Sequence, residues 1–226
     1  VCHSAEVSFG VALVLLPVSG YCLAVAAAKD RAYLSLAAVP LLLGVQQLCE
    51  AAVQAGMERG DSGLSRAAAS GFLFLALAVW PVWVPLAAAA LEAPGRRRAV
   101  FLGLGAAGLM TVGLYALPVA DGGWAAPQVA GHGLRFDLPD PGLVWPAVYL
   151  AAVCGPLAAS RAADVRPLGW LVLAAAAAAY TTAPEAFAST WGRLASVGSG
   201  YVAYVLYQLP DSRQGKSGTG VVAQAL

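Results

Sequence analysis

The run Val7-Ser8-Phe9-Gly10-Val11-Ala12-Leu13-Val14-Leu15-Leu16-Pro17-Val18-Ser19-Gly20-Tyr21-Cys22-Leu23-Ala24-Val25-Ala26-Ala27-Ala28 carries no charge and stops at Lys29-Asp30-Arg31. About 20 apolar residues, each rising about 1.5 Å, cross the hydrocarbon core of a bilayer, so this run reads as a transmembrane helix. No Lys or Arg precedes it, and it outlasts the roughly 7–15 apolar residues of a signal-peptide core. We therefore read it as a first span and not as a cleaved leader. Comparable runs, separated by charged or Gly/Pro-rich breaks, follow at 32–56, 67–91, 99–120, 142–160, 168–183 and 190–209. The expected architecture is an all-α bundle of seven transmembrane helices over residues 1–209, with a disordered cytoplasmic tail over 210–226. The narrowest break is Thr181-Thr182-Ala183-Pro184-Glu185, where Pro184 works against a continuous helix.

Composition agrees with a bilayer as solvent. Of 226 residues 60% are hydrophobic and 11% charged, against roughly 25% charged in soluble domains. A formal net charge of +1 supplies no field for nucleic acid. Lys and Arg gather on cytoplasmic span ends, which sets orientation. With the N-terminus outside, Lys29, Arg31, Arg96, Arg97, Arg98, Arg161, Arg166, Arg213 and Lys216 fall inside, and Arg59, Arg66, Arg135 and Arg193 fall outside. That bias of nine to four selects N-out, C-in. The lipid bilayer is the expected surrounding partner, with a second copy or another membrane subunit as a further one.

An ionisable side chain inside a span costs about 2.5–3.5 kcal/mol on insertion scales, so each one asks for a role. Glu50 is the clear case. Gln46, Glu50 and Gln54 recur every four residues and Gln47 lies three before Glu50, which makes one helical face polar for two turns. Such a face must meet protein or water. Four to six residues of span remain beyond Glu50, placing it about 6–9 Å below the outer end and implying an outward-facing pocket or an interhelical network. Arg193 is the basic residue at matching depth. Gln46, Gln47, Glu50, Gln54 and Arg193 are accordingly the candidate ligand-binding set.

Cys2, His3 and His132 also fall on the expected outer side. With Glu50 they form a candidate site for a divalent metal, although no local HxxxH or CxxC pair anchors two ligands. The other cysteines, Cys22, Cys49 and Cys154, read as small apolar residues. Pro40, Pro81 and Pro85 interrupt the second and third spans, and broken helices open space between neighbours. Tyr201, Tyr204 and Tyr207 suit an inner aromatic belt, and Ser196 with Gly200 suits close helix packing. Retinal chemistry is excluded, since Lys29 and Lys216 both lie outside the spans. Serine-hydrolase and nucleotide motifs are likewise missing.

Four stretches carry a family resemblance. Val1-Cys2-His3-Ser4-Ala5-Glu6-Val7-Ser8-Phe9, Pro40 to Glu50 with its Gln-Gln-X-X-Glu ending, Trp80-Pro81-Val82-Trp83-Val84-Pro85-Leu86 and Phe187-Ala188-Ser189-Thr190-Trp191 resemble blocks of the DUF6629 family of prokaryotic membrane proteins. After that last Trp the family often has Cys, where this chain has Gly192 and Arg193. The resemblance implies a bacterial-type membrane protein and no particular activity. It adds weight to Cys2, Gln46, Gln47 and Glu50, and it implies that Val1 stands for a Met read from a GTG start.

Three functions follow as expectations. The first is a binding or transport protein, or a receptor, that holds a cation, proton or small polar ligand around Glu50. The second is a membrane-embedded metal-dependent enzyme using Cys2, His3, His132 and Glu50. The third is a structural or assembly subunit whose polar face meets a partner helix.

Overall fold

The computed structural model describes residues 5–120, 127–130, 133–136 and 144–210. Cys2, His3, His132 and the tail beyond Pro210 lie outside the described residues. Within them the chain forms seven helical rods. The first is α1, Ala5–Lys29. The second joins a 3₁₀ turn, Arg31–Tyr33, to α2, Leu34–Ala37, and α3, Val39–Arg59. The third joins α4, Ser62–Leu73, through a π-helical turn, Phe74–Val79, to α5, Trp80–Ala90. Then come α6, Arg96–Ala120, α7, Val144–Ala158, and α8, Arg166–Thr182. The seventh rod joins a 3₁₀ turn, Pro184–Ala186, to α9, Phe187–Ser196, and α10, Gly198–Gln208. Three stretches among the described residues, Ala5–Lys29, Arg31–Arg59 and Ser62–Ala90, are long and apolar enough to cross a membrane.

The fold is a transmembrane helical bundle with its apolar side turned outward. Phe74, Met110, Trp170 and Val197 are each more than 60% exposed, while Gln46, Gln47 and Glu50 are buried. A water-soluble monomer rarely shows so many large apolar side chains, whereas a lipid-facing surface requires them. Lipid tails are as apolar as Leu, so helices associate through close packing more than through the hydrophobic effect. Small residues sit at the crossings accordingly. Gly108 of α6 lies against the Pro81 carbonyl of α5, and Gly169 of α8 lies against the Ala158 backbone of α7, so that neither place has room for a Cβ.

Proline and capping residues explain the internal breaks. Pro40 stands in the first turn of α3, where its missing N–H matters least, and the ladder is interrupted just before it at Ala38. Pro81 does the same in α5, and the turn ahead of it widens into the π-helix. One carbonyl of that turn, Ala76 O, accepts a hydrogen bond from Tyr149 Oη of α7. The third rod starts where the Asp61 carboxylate accepts from Gly63 N at 3.1 Å and Leu64 N at 3.0 Å. Gly60 ends α3 in the left-handed region, with φ of 69°, which glycine adopts without a Cβ penalty.

Two features depart from the sequence-based expectation. A two-stranded antiparallel ribbon, β1 (Gln128–Ala130) and β2 (Gly133–Arg135), stands in the long connection between α6 and α7, with Val129 opposite Leu134. It adds a small feature to a helical fold without changing its class. The second is a buried carboxyl besides Glu50. Glu92, 5% exposed, follows α5 and accepts from Ser160 Oγ at 2.9 Å and Arg161 N at 2.6 Å. It ties the α5–α6 connection to the α7–α8 connection. Arg166 Nε closes the same cluster by donating to Ser160 O at 2.8 Å.

Glu92→Ala removes the acceptor for a buried hydroxyl and a backbone N–H, which costs about 1–3 kcal/mol. The variant is expected to unfold earlier in a detergent thermal melt; an unchanged midpoint would show that the clasp contributes nothing to stability.

Candidate functional site

The four-residue spacing on α3 turns Gln46, Glu50 and Gln54 to one side, and Gln47 joins them one turn below Glu50. All four are buried, at 2%, 0%, 6% and 0% exposure for Gln46, Glu50, Gln54 and Gln47. The side they occupy faces α9. That helix offers Gly192 opposite the two amides, and a Cβ there would stand 3.1 Å from Gln46 Nε2. Glycine at this point lets the polar stripe approach the neighbouring backbone. A larger residue would push on the Gln46 amide.

Glu50 gathers donors from two helices. Ser189 Oγ of α9 donates to Glu50 Oε1, and Gln47 Nε2 donates to Glu50 Oε2 at 3.4 Å. Arg193, one turn further along α9, holds Nε 3.9 Å from Glu50 Oε1 and donates from Nη2 to Ser189 Oγ at 3.4 Å. The serine hydroxyl therefore bridges guanidinium and carboxylate. A desolvated carboxylate is tolerable only with such company, because isolated charge in a low-dielectric interior costs several kcal/mol. Two acceptors in the cluster remain unmatched. No donor reaches Gln47 Oε1 or Gln54 Oε1 among the described residues, although both atoms are buried.

The β1–β2 ribbon packs directly against the cluster. Gly133 of β2 sits directly over Ser189 and Arg193, and a Cβ on it would come within 2.8 Å of Ser189 Oγ and 3.1 Å of Arg193 Nη2. Leu134, 1% exposed, packs beside Val53 and Ala69, and Phe136 stacks on Phe72 with ring centroids 5.3 Å apart. The ribbon thus works as a cover anchored on α3 and α4. Glu50 also lies deeper than expected from the helix end, since α3 continues to Arg59, nine residues or about 13 Å beyond it.

Below the carboxyl, Gln46 Oε1 accepts from Trp80 Nε1 of α5 at 2.6 Å. Gln46 and Gly192 also line a cavity of about 760 Å³ between α3, α5, α7, α8 and α9, with Leu134 and Phe136 of the ribbon segment and the π-helical turn completing its wall, whereas Glu50 does not line it. Gln46 is the point where the polar stripe meets this apolar space.

Sequence reasoning picked out Glu50, the three glutamines and Arg193, and the structure gathers Glu50, Gln47 and Arg193 into direct contact. It missed Ser189, Trp80 as a partner of Gln46, and Gly133. The signal for Ser189 lay in the Phe187-Ala188-Ser189-Thr190-Trp191 block and in its four-residue spacing from Arg193. Cys2, His3 and His132 lie outside the described residues. Among the described ones no three His, Cys, Asp or Glu side chains stand together as a metal site.

Apolar rods around a buried, partnered carboxyl define a helical membrane protein with a polar cluster inside the bundle. The chain belongs to the DUF6629 family, a family of unknown function, whose model matches residues 1–217. No curated protein and no solved structure matches it.

Ser189→Ala withdraws a hydrogen bond from the carboxyl and leaves Arg193 Nη2 without its serine acceptor. Bonds of this kind to charged groups contribute about 1.5–3 kcal/mol, so a clear loss of thermal stability is expected. A stability equal to that of the unaltered protein would mean that Ser189 does not support Glu50.

Proposed function

We propose that this chain is a multi-pass protein of a prokaryotic inner or plasma membrane that binds or moves a proton, a cation or a small polar ligand at Glu50. The observation that carries the reading is a carboxyl of zero exposure on a helical face where two more buried acceptors, Gln47 Oε1 and Gln54 Oε1, meet no donor among the described residues. Unmatched oxygen acceptors beside a carboxyl favour something that brings positive charge or hydrogen: a proton, a cation or a ligand bearing N–H or O–H groups. Buried carboxyls in spans are costly, and that cost is tolerated where ions or protons are handled. Arg193 supplies the opposite charge that keeps the cluster stable when the site is unfilled. Entry from outside requires the β1–β2 ribbon to lift, because Gly133 covers Ser189 and Arg193.

One observation also supports a structural role. Trp80 to Gln46 and Ser189 to Glu50 link α5, α3 and α9 through side chains, as interhelical hydrogen bonds do in membrane bundles. A purely adhesive cluster and a titrating one respond differently to Glu50→Gln. That substitution keeps the shape and removes the ionisable group.

In proteoliposomes loaded with the pH-sensitive dye pyranine, proton uptake under an imposed potassium diffusion potential is expected to depend on pH and to lose that dependence in Glu50→Gln. An identical pH profile in the variant, with the protein still folded, would remove Glu50 from the functional reading and leave it the adhesive role.

A further inference from the structure

We infer that the cavity between α3, α5, α7, α8 and α9 is a binding site for one hydrocarbon chain of a membrane amphiphile. The inference stands apart from the role of Glu50, which does not line this space. At about 760 Å³ the cavity falls within the roughly 300–1,000 Å³ of ligand sites. Its wall is built mainly of aliphatic and aromatic side chains, Leu43, Leu150, Val153 and Leu168 among them. The indole and phenol groups of the interior wall are engaged within the protein. Trp80 Nε1 bonds Gln46, Trp191 Nε1 donates to Val172 O at 3.0 Å, and Tyr149 Oη donates to Ala76 O. Beside them the interior wall offers the Gln46 amide nitrogen, one group where an ordered water needs two to four polar partners. An apolar chain recovers the dispersion contacts that an unfilled space forfeits.

The shape agrees. On α7 the lining runs from Pro146 to Leu157 and on α8 from Leu168 to Tyr180, so the slot extends about 16–18 Å along the helices. That is more than half the roughly 30 Å thickness of a hydrocarbon core, and it is aligned with the acyl chains outside. The mouth is lateral. Leu173, Ala177 and Tyr180 on α8 and Pro146 on α7 line the slot and are exposed, and the same stretch of α8 shows Trp170 and Leu171 to the surroundings. A chain therefore enters from the bilayer between α7 and α8. Its head stays at the outer rim, where Glu185 borders the slot and pairs with Arg135 at 4.0 Å.

The test uses the full chain in lipid nanodiscs with a stearic acid bearing a diazirine near its methyl end. Photolysis is expected to label Val153, Leu157, Leu168 and Val172 saturably, and unlabelled stearic acid is expected to displace the label. Ala177→Phe, at the mouth, should weaken that labelling about tenfold. Leu171→Phe, exposed but outside the slot, should leave it unchanged. A photoreactive phosphatidylcholine that labels the same residues would assign the chain to a bilayer phospholipid; labelling by the fatty acid alone would assign it to a single-chain amphiphile. Should Ala177→Phe fail to fold, saturation in the unaltered protein decides the matter. Labelling that rises linearly with both probes and stays on lipid-facing residues such as Leu171 and Phe74 would overturn the inference.

Discussion

A carboxyl group placed among apolar helices has three outcomes: it finds donors, gives up its charge, or drives the helices apart. Glu50 finds donors. Ser189 and Arg193 come from α9 and Gln47 from its own helix, so satisfying this one group fixes which face of α3 meets which face of α9. The rest of that contact follows from it. Gly192 must be small to let the amides approach, and Gly133 must be small for the ribbon to settle over the hydroxyl and guanidinium. In lipid, where apolar contact discriminates poorly between helix faces, a polar group with a single set of partners selects one packing.

The same physics orders the remainder of the bundle around two contrasting interiors. On one side of Gln46 lies the carboxyl cluster, rich in acceptors, with the ribbon packed against it. On the other lies an apolar slot walled by α5, α7 and α8, where the Trp191 indole and Tyr149 hydroxyl are spent on backbone carbonyls. The breaks ahead of Pro40 and Pro81 shape both. The π-helical turn before Pro81 offers Ala76 O to Tyr149 and aims Trp80 at Gln46, so an irregular helix serves as a joint between the two regions. At the opposite end, Lys29 Nζ donates to Tyr207 O at 2.9 Å and Leu209 O at 2.7 Å, binding the first rod to the last.

Much of this was legible in the residues, for definite reasons. Seven apolar runs with charged or proline-bearing breaks give seven rods because backbone polar groups in a bilayer have to be satisfied within each segment. Glu50 stood out because carboxyls are expensive there, and Arg193 because depth along the rods can be counted. Glu92 did not stand out, since an acid next to Ala93-Pro94-Gly95 looks like a solvated loop residue until Ser160 and Arg161 fold over it. Ser189 is ordinary in any helix, and only its position opposite Glu50 gives it meaning. The ribbon has three-residue strands, too short for alternation to register. Whether the polar stripe was open or covered depended on where Gly133 came to rest, and the slot is a volume between five helices that no local pattern encodes.

The account rests on Glu50 and Arg193 sharing one site, and a double-mutant cycle tests that most directly. Glu50→Gln, Arg193→Gln and the paired variant would be unfolded thermally in the same nanodiscs. Groups in one hydrogen-bonded cluster couple by about 0.5–3 kcal/mol, so the paired variant is expected to lose clearly less stability than the sum of the single losses. Additive losses would mean that the two charges do not meet, and the packing of α3 on α9 would need another cause.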